Sequence, residues 1–340
     1  LAALQWTIER RAATMALRLA AALWRFWEIR SEYRLGLDWL ERSLALADPT
    51  ERALRAQVLA GAGALARNLS HYADAHRYFA EAYARYHETE DLTGMAKMLN
   101  SLGTVAYYQD DAAIAVGYFE ESLALHRVLG DPRGMAGALN NLALLAEGMG
   151  DYTHAAQLHE EAFALFVLLG DALSCAYSLG NLGVLAEHSG DLIKAATLYQ
   201  QSLDTHVAVG EKWGMAAMLT NLGSTLDRLR QHDRAAALLI EGLHLFEEVG
   251  DRAGMAQALA ALARNAANRA EFNAAVHFLA AAETLELDVG YTLPAVERGE
   301  RQTLLMTLHT VVPPHILASI WGAVSTTPPA QLLHHLPLTQ

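Results

Sequence analysis

The stretch GDPRGMAGALNNLALLAEGMGDYTHAAQLHEEAFALFVLLGD, residues 130–171, decides the fold of this chain. The Gly-Asp dipeptide that bounds it recurs at a spacing of forty residues. It stands at Gly130-Asp131, Gly170-Asp171 and Gly250-Asp251, with Gly210-Glu211 as a variant. A fixed period of this length is typical of stacked helical units that bury their apolar faces against their neighbours. Such a stack offers a long surface of equivalent positions, which favours binding as the function.

Small and apolar residues recur at matching positions of every period. One position holds Leu102, Leu142, Leu182, Leu222 and Leu262, and the position after it is always small. Twelve residues after that small position stand Ala75, Ala115, Ala155, Ala195, Ala235 and Ala275. Four residues later comes a bulky position, with Phe79, Phe119, His159, Tyr199, Leu239 and Leu279. Small residues let two antiparallel helices approach closely, and we expect the bulky residues to fill the space between neighbouring hairpins.

The Gly-Asp dipeptides predict the ends of helices. Glycine suits the left-handed residue after a helix, and aspartate caps the next helix. Gly150-Asp151 and Gly190-Asp191 therefore separate the two helices of a unit, helix A and helix B. Gly130-Asp131-Pro132 separates successive units, with Pro132 at the first helical position. We assign the dipeptide no binding role.

The pattern predicts an all-α fold, a right-handed α-solenoid of about seven helical hairpins. The repeat array covers residues 1–289, beginning with a hairpin whose helix A runs around Met15 to Ile29. Prolines then punctuate capping helices within residues 290–325, about Pro294 to Val311 and Pro314 to Ala323. Residues 326–340 form a tail for which disorder is left open.

Composition excludes several classes of function. The net charge of −13 argues against direct contact with nucleic acid, because phosphate binding needs clustered Lys and Arg. No apolar run reaches the length of a membrane span. The single cysteine, Cys175, fits a reducing, cytoplasmic compartment. No metal-binding, phosphate-binding or catalytic motif is present, so we expect no cofactor and no enzymatic activity.

The repeat residues resemble the tetratricopeptide repeat. The Leu-Gly pair of helix A, the alanine twelve residues on, the aromatic position and the small residue after it match that pattern. The departures are the period of forty and the absence of a closing proline in helix B. Repeats of this longer kind resemble those of kinesin light chains and of bacterial signalling regulators.

Both ends of the chain carry a narrower resemblance. The segments Leu17 to Trp27 and Trp39 to Leu46 look like the start of the repeat region in LuxR-type and related signal-transduction ATPases. Segments within Phe278 to Glu283, Leu293 to Arg298 and Ile320 to Ala323 look like its end. Since the first residue is Leu1 and not Met, we expect the chain to be part of a longer regulator.

The resemblance implies that helix A lines a concave groove. The position of each residue relative to the recurring Leu of its helix A then identifies the residues that we expect to face this groove. Ser101, Asn141, Asn181, Asn221 and Ala261 hold equivalent positions, so three asparagines form a ladder. Each could bind an extended peptide backbone or bond a neighbouring helix end, and both readings stay open. The candidate ligand-binding residues are Asn100, Tyr107, Tyr108, Asn140, Asn141, Glu147, Asn181, Glu187, His188, Asn221, Asp227, Arg228, Arg264 and Asn268. Arg67 and Asn68 extend this line towards the second hairpin.

The expected groove is aromatic at Tyr107-Tyr108, acidic at Glu147 and Glu187, and basic towards Arg228 and Arg264. We see no paired Lys and Arg set of the kind that clamps a terminal carboxylate. Two functions fit this pattern. The first is the sensor segment of a bacterial transcriptional regulator that binds a peptide, a small-molecule effector or a partner protein. The second is a free-standing scaffold for assembling protein complexes. Trp24 and Trp27 at the first hairpin leave a homodimer open.

Overall fold

A computed structural model describes residues 1–46, 51–290, 295–328, 331–333 and 336–338, with the backbone alone at 295–297. Its helices fall into two compact units, Leu1–Gly170 and Asp171–Gln340. Each unit is a stack of antiparallel helical hairpins, and the described residues contain no strand. The predicted all-α solenoid is therefore confirmed. No helix in these ranges is both long and apolar enough to cross a membrane.

The first unit begins with a short helix that the repeat pattern did not predict. Its described residues form nine helices: α1 (Ala2–Glu9), α2 (Ala13–Ile29), α3 (Tyr33–Leu46), α4 (Arg52–Asn68), α5 (Tyr72–Glu88), α6 (Leu92–Tyr108), α7 (Ala112–Leu129), α8 (Pro132–Gly148) and α9 (Tyr152–Leu169). Leu4 of α1 is fully buried, because α1 packs against α2 and α3. Of the aromatic residues of α2, Trp27 is fully buried whereas Phe26 is about half exposed.

The second unit contains three hairpins and two further helices among its described residues. They are α10 (Ala172–His188), α11 (Leu192–Val209), α12 (Lys212–Arg228), α13 (His232–Val249), α14 (Arg252–Asn268), α15 (Phe272–Val289), α16 (Ala295–Val311) and α17 (Pro314–Ser325). Together with the four hairpins from α2 to α9, the described ranges hold the seven hairpins that the sequence predicts.

The Gly-Asp dipeptides end and begin helices as predicted. Gly130 follows α7 in the left-handed conformation with φ 61°, and the Asp131 side chain accepts from the Gly134 amide at 3.1 Å. Gly150 has φ 80° at the turn inside a hairpin, and Asp151 caps α9 in the same way. A left-handed residue reverses the chain and the aspartate satisfies an amide that the helix cannot, so each junction stops one helix and starts the next.

The bulky residue packs across its own hairpin, and it also lies in one core cluster with residues of the next A helix, which agrees with the expected packing between hairpins. A Cβ on Gly63 would lie 2.6 Å from the ring of Phe79, and one on Gly183 would lie 2.5 Å from the ring of Tyr199. The small residue of helix A thus makes room for the bulky residue of helix B. A second glycine column, which includes Gly94, makes room for a side chain of the preceding helix B.

The helices after the last hairpin cover its apolar side. Leu308, Val312 and Val324 are buried in one cluster with residues of α14 and α15. Within the predicted tail, Leu332 and Leu336 are buried in the same cluster, and residues 331–333 form a short 3₁₀ turn. Residues 47–50 and the remaining tail positions lie outside the described residues, as does the start of the segment at Leu293.

Candidate functional site

In the second unit, the three A helices of the hairpins lie side by side. Helix α12 contacts both α10 and α14, and the three helices line a cavity of about 360 Å³. Asn181, Asn221 and Gln257 contribute three amides to its wall. Tyr177 and Trp213 contribute two aromatic rings. The cavity thus combines hydrogen-bonding groups with exposed aromatic surface, the composition of many ligand sites.

Two of the three ladder asparagines keep their side chains unengaged. The Asn141 amide donates to Asn100 Oδ1 at 2.9 Å, so these two predicted site residues satisfy one another. Asn181 and Asn221 are half-buried, and their side chains make no hydrogen bond to any of the described residues. The interpretation that each ladder asparagine bonds a neighbouring helix end therefore does not apply to Asn181 or Asn221. A half-buried amide without a protein partner is available to a ligand.

The predicted acidic residues of the groove contact the second helix of their own hairpins, and Glu187 contacts α12 as well. Glu147 Oε1 lies 2.8 Å from His159 Nε2, and the Tyr199 hydroxyl donates to Glu187 Oε2 at 3.1 Å. Thr225 also donates to Glu187 Oε1, at 2.7 Å. Burial, and then the Glu187 charge, raise the pKa of Tyr199. These carboxylates therefore hold helices together, and their acceptor capacity is partly used.

Asp227 lies at the centre of a buried network. Its carboxylate accepts from the side-chain amides of Asn265 and Asn268, each at 2.7 Å. His232 Nδ1 lies 2.7 Å from the same carboxylate. Asn265 was not among the predicted residues, although it completes the network by also donating to the His232 carbonyl at 2.9 Å. Asp227 and Asn268 thus connect α12 to α14 rather than facing the groove with unengaged groups.

The predicted basic residues are also paired. Arg228 donates to Glu187 Oε1 at 3.3 Å, and Arg264 donates to Glu300 Oε2 at 2.5 Å. Because Glu300 belongs to α16, this helix borders the groove, and with α12 and α14 it encloses a second cavity of about 320 Å³. Asn221 lines this cavity as well. The basic end expected of the groove is therefore neutralised by ion pairs within the unit.

Cationic side chains of the first unit lie around a cavity of that unit. A cavity of about 730 Å³ there is lined by Arg67 and Lys97, for which the described residues provide no hydrogen bond or ion pair. Trp24, Arg25 and Asn100 line it too. Sequence reasoning named Arg67 as an extension of the groove but did not group it with Lys97. These two residues lie thirty positions apart, outside the forty-residue register, so the repeat alignment separated them.

Three of the remaining predicted residues stand at exposed helix ends, and Asn140 lies within α8. Tyr107 and Tyr108 are about half exposed at the end of α6, and Tyr108 stacks on Tyr72 with ring centroids 5.5 Å apart. His188 is exposed at the end of α10. Asn140 is half-buried on α8. No group of three or more potential metal ligands lies together within the described ranges.

Sequence reasoning missed Tyr177 and Trp213. Both stand in helix A at positions where most other repeats carry small or unrelated residues, such as Gly137 and Ala217 in place of Tyr177. A large aromatic residue at a position that the other repeats fill with non-aromatic residues was the available signal. It was overlooked because the search followed residues that share the register of the ladder.

Comparison with known proteins supports the repeat architecture. Tetratricopeptide repeat models match residues 94–166 and 134–206, and residues 215–249. No curated protein matches the chain. Among solved structures, aspartyl phosphate phosphatase F from Bacillus subtilis is similar, with 12% identity, a TM-score of 0.64, and coverage of 83% of this chain and 73% of that one.

Two further similar structures are a Rap protein and a quorum sensor. A Rap protein complexed with Competence and Sporulation Factor has 13% identity and a TM-score of 0.58, with coverage of 87% of this chain and 88% of that one. The quorum sensor NprR from B. thuringiensis has 12% identity and a TM-score of 0.55, with coverage of 80% and 87%. At these identities the likeness shows the fold alone. The chain is an all-α solenoid, and the stretches that the family models match are tetratricopeptide repeats.

Proposed function

We propose that this chain binds an extended peptide, or a peptide-like segment of a partner protein, on the face formed by its A helices. The observation that carries the proposal is the pair Asn181 and Asn221. Both line the 360 Å³ cavity, and their side-chain amides have no partner in the described part of the chain. An amide offers one acceptor and two donors, which match the carbonyl and amide groups of an extended backbone.

We further propose that the chain is the sensor segment of a larger bacterial signalling or transcriptional regulator. The resemblance of its two ends to the repeat regions of LuxR-type regulators supports this context. Similar structures named as a quorum sensor and as a Rap protein with a signalling factor support it too. Ligand binding would act by favouring one conformation of the repeats over another. An upstream nucleotide-binding domain in the full gene would support the sensor, and its absence would favour the scaffold.

Catalysis is not part of the proposal, although one similar structure is named a phosphatase. Among the described residues that line the 360 Å³ cavity, the acidic group is Asp251, and its two oxygens already accept from Gly254 and Trp213. A general base needs an available oxygen close to the group that it deprotonates. We therefore expect no release of phosphate from an aspartyl phosphate protein mixed with this chain.

The binding proposal is tested with peptides selected from a random display library against the whole chain. We expect a selected peptide to lose at least tenfold in affinity when Asn181→Ala and Asn221→Ala are combined. Asn273→Ala is the control, because Asn273 is exposed on α15, a B helix. Circular dichroism checks that all variants stay folded. Unchanged affinity of the double variant, or selection of no peptide, would contradict the proposal.

A further inference from the structure

Tyr177 of α10 and Trp213 of α12 form an exposed aromatic pair at the rim of the 360 Å³ cavity. Their ring centroids lie 6.5 Å apart, and the ring planes are inclined by 43°. The two residues are 39% and 45% exposed, respectively. Exposed aromatic surface of this extent in a cavity needs an explanation, because the packing of the hairpins leaves both residues uncovered.

Hydrogen bonds hold both aromatic side chains in place by their polar ends. Trp213 Nε1 donates to Asp251 Oδ2 at 2.7 Å, and the Tyr177 hydroxyl donates to Glu211 Oε2 at 3.3 Å. Asp251 and Glu211 are themselves fixed as helix caps, because they accept from the amides of Gly254 and Gly214 at 3.0 Å and 2.6 Å. The polar ends of the rings are thus anchored, while their faces stay open to a ligand.

The charge at this rim is negative. Asp251 accepts only from an amide and an indole N–H, which are neutral donors, so no cation neutralises it. Glu211 accepts likewise from two amides and a hydroxyl. None of the described residues lining the cavity is Lys or Arg. The neighbouring cations are engaged elsewhere, since Lys212 pairs with Glu248 and Arg252 pairs with Asp288.

Two other groups could offset this charge. The N-termini of α12 and α14 contribute a partial positive charge to the two carboxylates that cap them, which reduces their field without cancelling it. His206 lies beneath Tyr177, with ring centroids 5.0 Å apart, and its Nδ1 is 3.3 Å from Glu211 Oε2 without the geometry of a hydrogen bond. Burial lowers the pKa of His206, so its ring is neutral near pH 7.

Aromatic faces beside an unneutralised carboxylate attract a cation. The ring quadrupole presents negative charge on its face, and a guanidinium or ammonium group placed there gains further from a nearby carboxylate. We propose that the Tyr177–Trp213 rim binds the cationic head of an Arg or Lys side chain. This inference builds on the proposed function, because the side chain would belong to the peptide whose backbone bonds Asn181 and Asn221.

The test uses blocked arginine, N-acetyl-arginine methylamide, and its neutral isostere, N-acetyl-citrulline methylamide. The whole chain is labelled with 5-fluorotryptophan, and its ¹⁹F spectrum is followed during titration. The signal of Trp213 is the one that disappears in Trp213→Phe. We expect blocked arginine to shift this signal in a saturable manner, with a dissociation constant at least tenfold below that of blocked citrulline.

The comparison with citrulline isolates the charge of the ligand, and a carboxylate variant tests the charge of the protein. Asp251→Asn removes the charge and keeps one oxygen for the helix cap, while its NH2 group replaces the acceptor of the Trp213 indole; we expect it to weaken the binding of blocked arginine at least fivefold. Asp191→Asn is the matched control, because Asp191 caps α11 and does not line the cavity. The inference is overturned if citrulline binds as well as arginine, if the two variants weaken binding equally, or if the Trp213 signal does not move.

The outcomes separate this inference from the proposed function. If blocked arginine fails while a selected peptide still binds through Asn181 and Asn221, the cation site is wrong and the peptide groove stands. If blocked arginine binds as expected while no peptide is selected, the cation site stands and the peptide groove is wrong.

Discussion

The Tyr199 hydroxyl donates a hydrogen bond to Glu187 Oε2 at 3.1 Å, across the two helices of one hairpin. The preceding hairpin has the same tie between His159 and Glu147. At the positions of His159 and Tyr199, two earlier repeats carry Phe, and their partner positions carry Arg67 and Tyr107 instead of Glu. Where the bulky residue of helix B carries a polar group, as His159 and Tyr199 do, the partner position on helix A therefore holds a glutamate. The contacts within each hairpin thus account for Glu147 and Glu187 without a ligand.

Tyr199→Phe should destabilise the chain by about 1.5 to 3 kcal/mol, the typical contribution of a hydrogen bond to a charged group. The change leaves the ring in place and removes only the bond to Glu187. Urea unfolding followed by circular dichroism measures the effect. Tyr107→Phe is the control, because Tyr107 is about half exposed, and we expect less than about 0.5 kcal/mol there. Equal effects of the two changes would contradict a stabilising hydrogen bond between Tyr199 and Glu187.

Arg301 and Glu286 form a buried ion pair that fastens α16 to α15. Two nitrogens of Arg301 donate to the two Glu286 oxygens at 2.5 and 2.6 Å, and the side chains are 11% and 9% exposed. Arg301→Met should destabilise the chain by about 3 to 5 kcal/mol, because it leaves a buried carboxylate without its cation. Thermal unfolding compares it with the double variant Arg301→Met, Glu286→Met.

The double variant should recover part of the lost stability, since it removes the buried Glu286 carboxylate together with its cation. Glu283, whose carboxylate lies 3.9 Å from Arg301 and whose side chain is 31% exposed, still loses its partner in both variants. Arg264→Met is the surface control. Its pair with Glu300 is 40% and 52% exposed, and we expect about 1 kcal/mol or less. A loss in Arg264→Met as large as that in Arg301→Met would show that burial is not the cause.

Gly183→Ala should destabilise the fifth hairpin. The added methyl group would lie 2.5 Å from the Tyr199 ring, and overpacking of this kind costs about 1 to 3 kcal/mol. Gly137→Ala is the matched change within α8, where nothing lies within 4 Å of the added atom. That variant should be stabilised by about 0.5 to 1 kcal/mol, because alanine is the better helix former. Opposite signs of the two shifts in melting temperature are the expected result.

Acid should weaken the chain partly through His206. Its side chain is fully buried, and burial lowers the pKa of its ring below that of the unfolded chain. The unfolded chain therefore takes up a proton first as the pH falls below about 6.5, which stabilises the unfolded state. Stability is complete above that pH and is lost as the pH falls towards the lower pKa of the folded chain.

His206→Phe should reduce the dependence of the melting temperature on pH between about 7 and 5. Phenylalanine is a suitable replacement, because Phe246 occupies the equivalent position of the next hairpin and is buried there. His244→Phe is the control at an exposed histidine. His277, also with its pKa lowered by burial, should supply the remaining dependence. An unchanged slope in His206→Phe would contradict the assignment.

Much of the fold could be predicted from the sequence because its signals are local. Gly130 and Asp131 act through the backbone of the turn in which they stand, so their role follows from residue type and spacing. The column of Gly63 and Gly183 follows from a repeat pattern that any stack must obey. Helix α1 was missed because it lies outside the repeat and has no equivalent to compare.

The site residues were harder to predict, because the position of a residue within the repeat does not show which side chain it hydrogen-bonds. Asn141 and Asn181 are equivalent in sequence, yet the first bonds Asn100 and the second bonds none of the described residues. Asn141 has a partner because Asn100 lies on the preceding A helix of the same unit, whereas Asn181 lies on the first helix of the second unit. Two residues at equivalent positions of the repeat can therefore differ in whether their side chains are available to a ligand.

The sequence by itself determined the period, the helix ends and the recurring small and bulky positions, since these depend on local conformation and side-chain volume. Only the tertiary structure decided which polar groups remain unengaged. Glu187, Asp227 and Arg264 find partners on neighbouring helices, whereas Asn181 keeps its hydrogen-bonding capacity. The physical reason is that a hydrogen bond or an ion pair requires two groups within about 3 Å, and such a distance between helices is a property of packing.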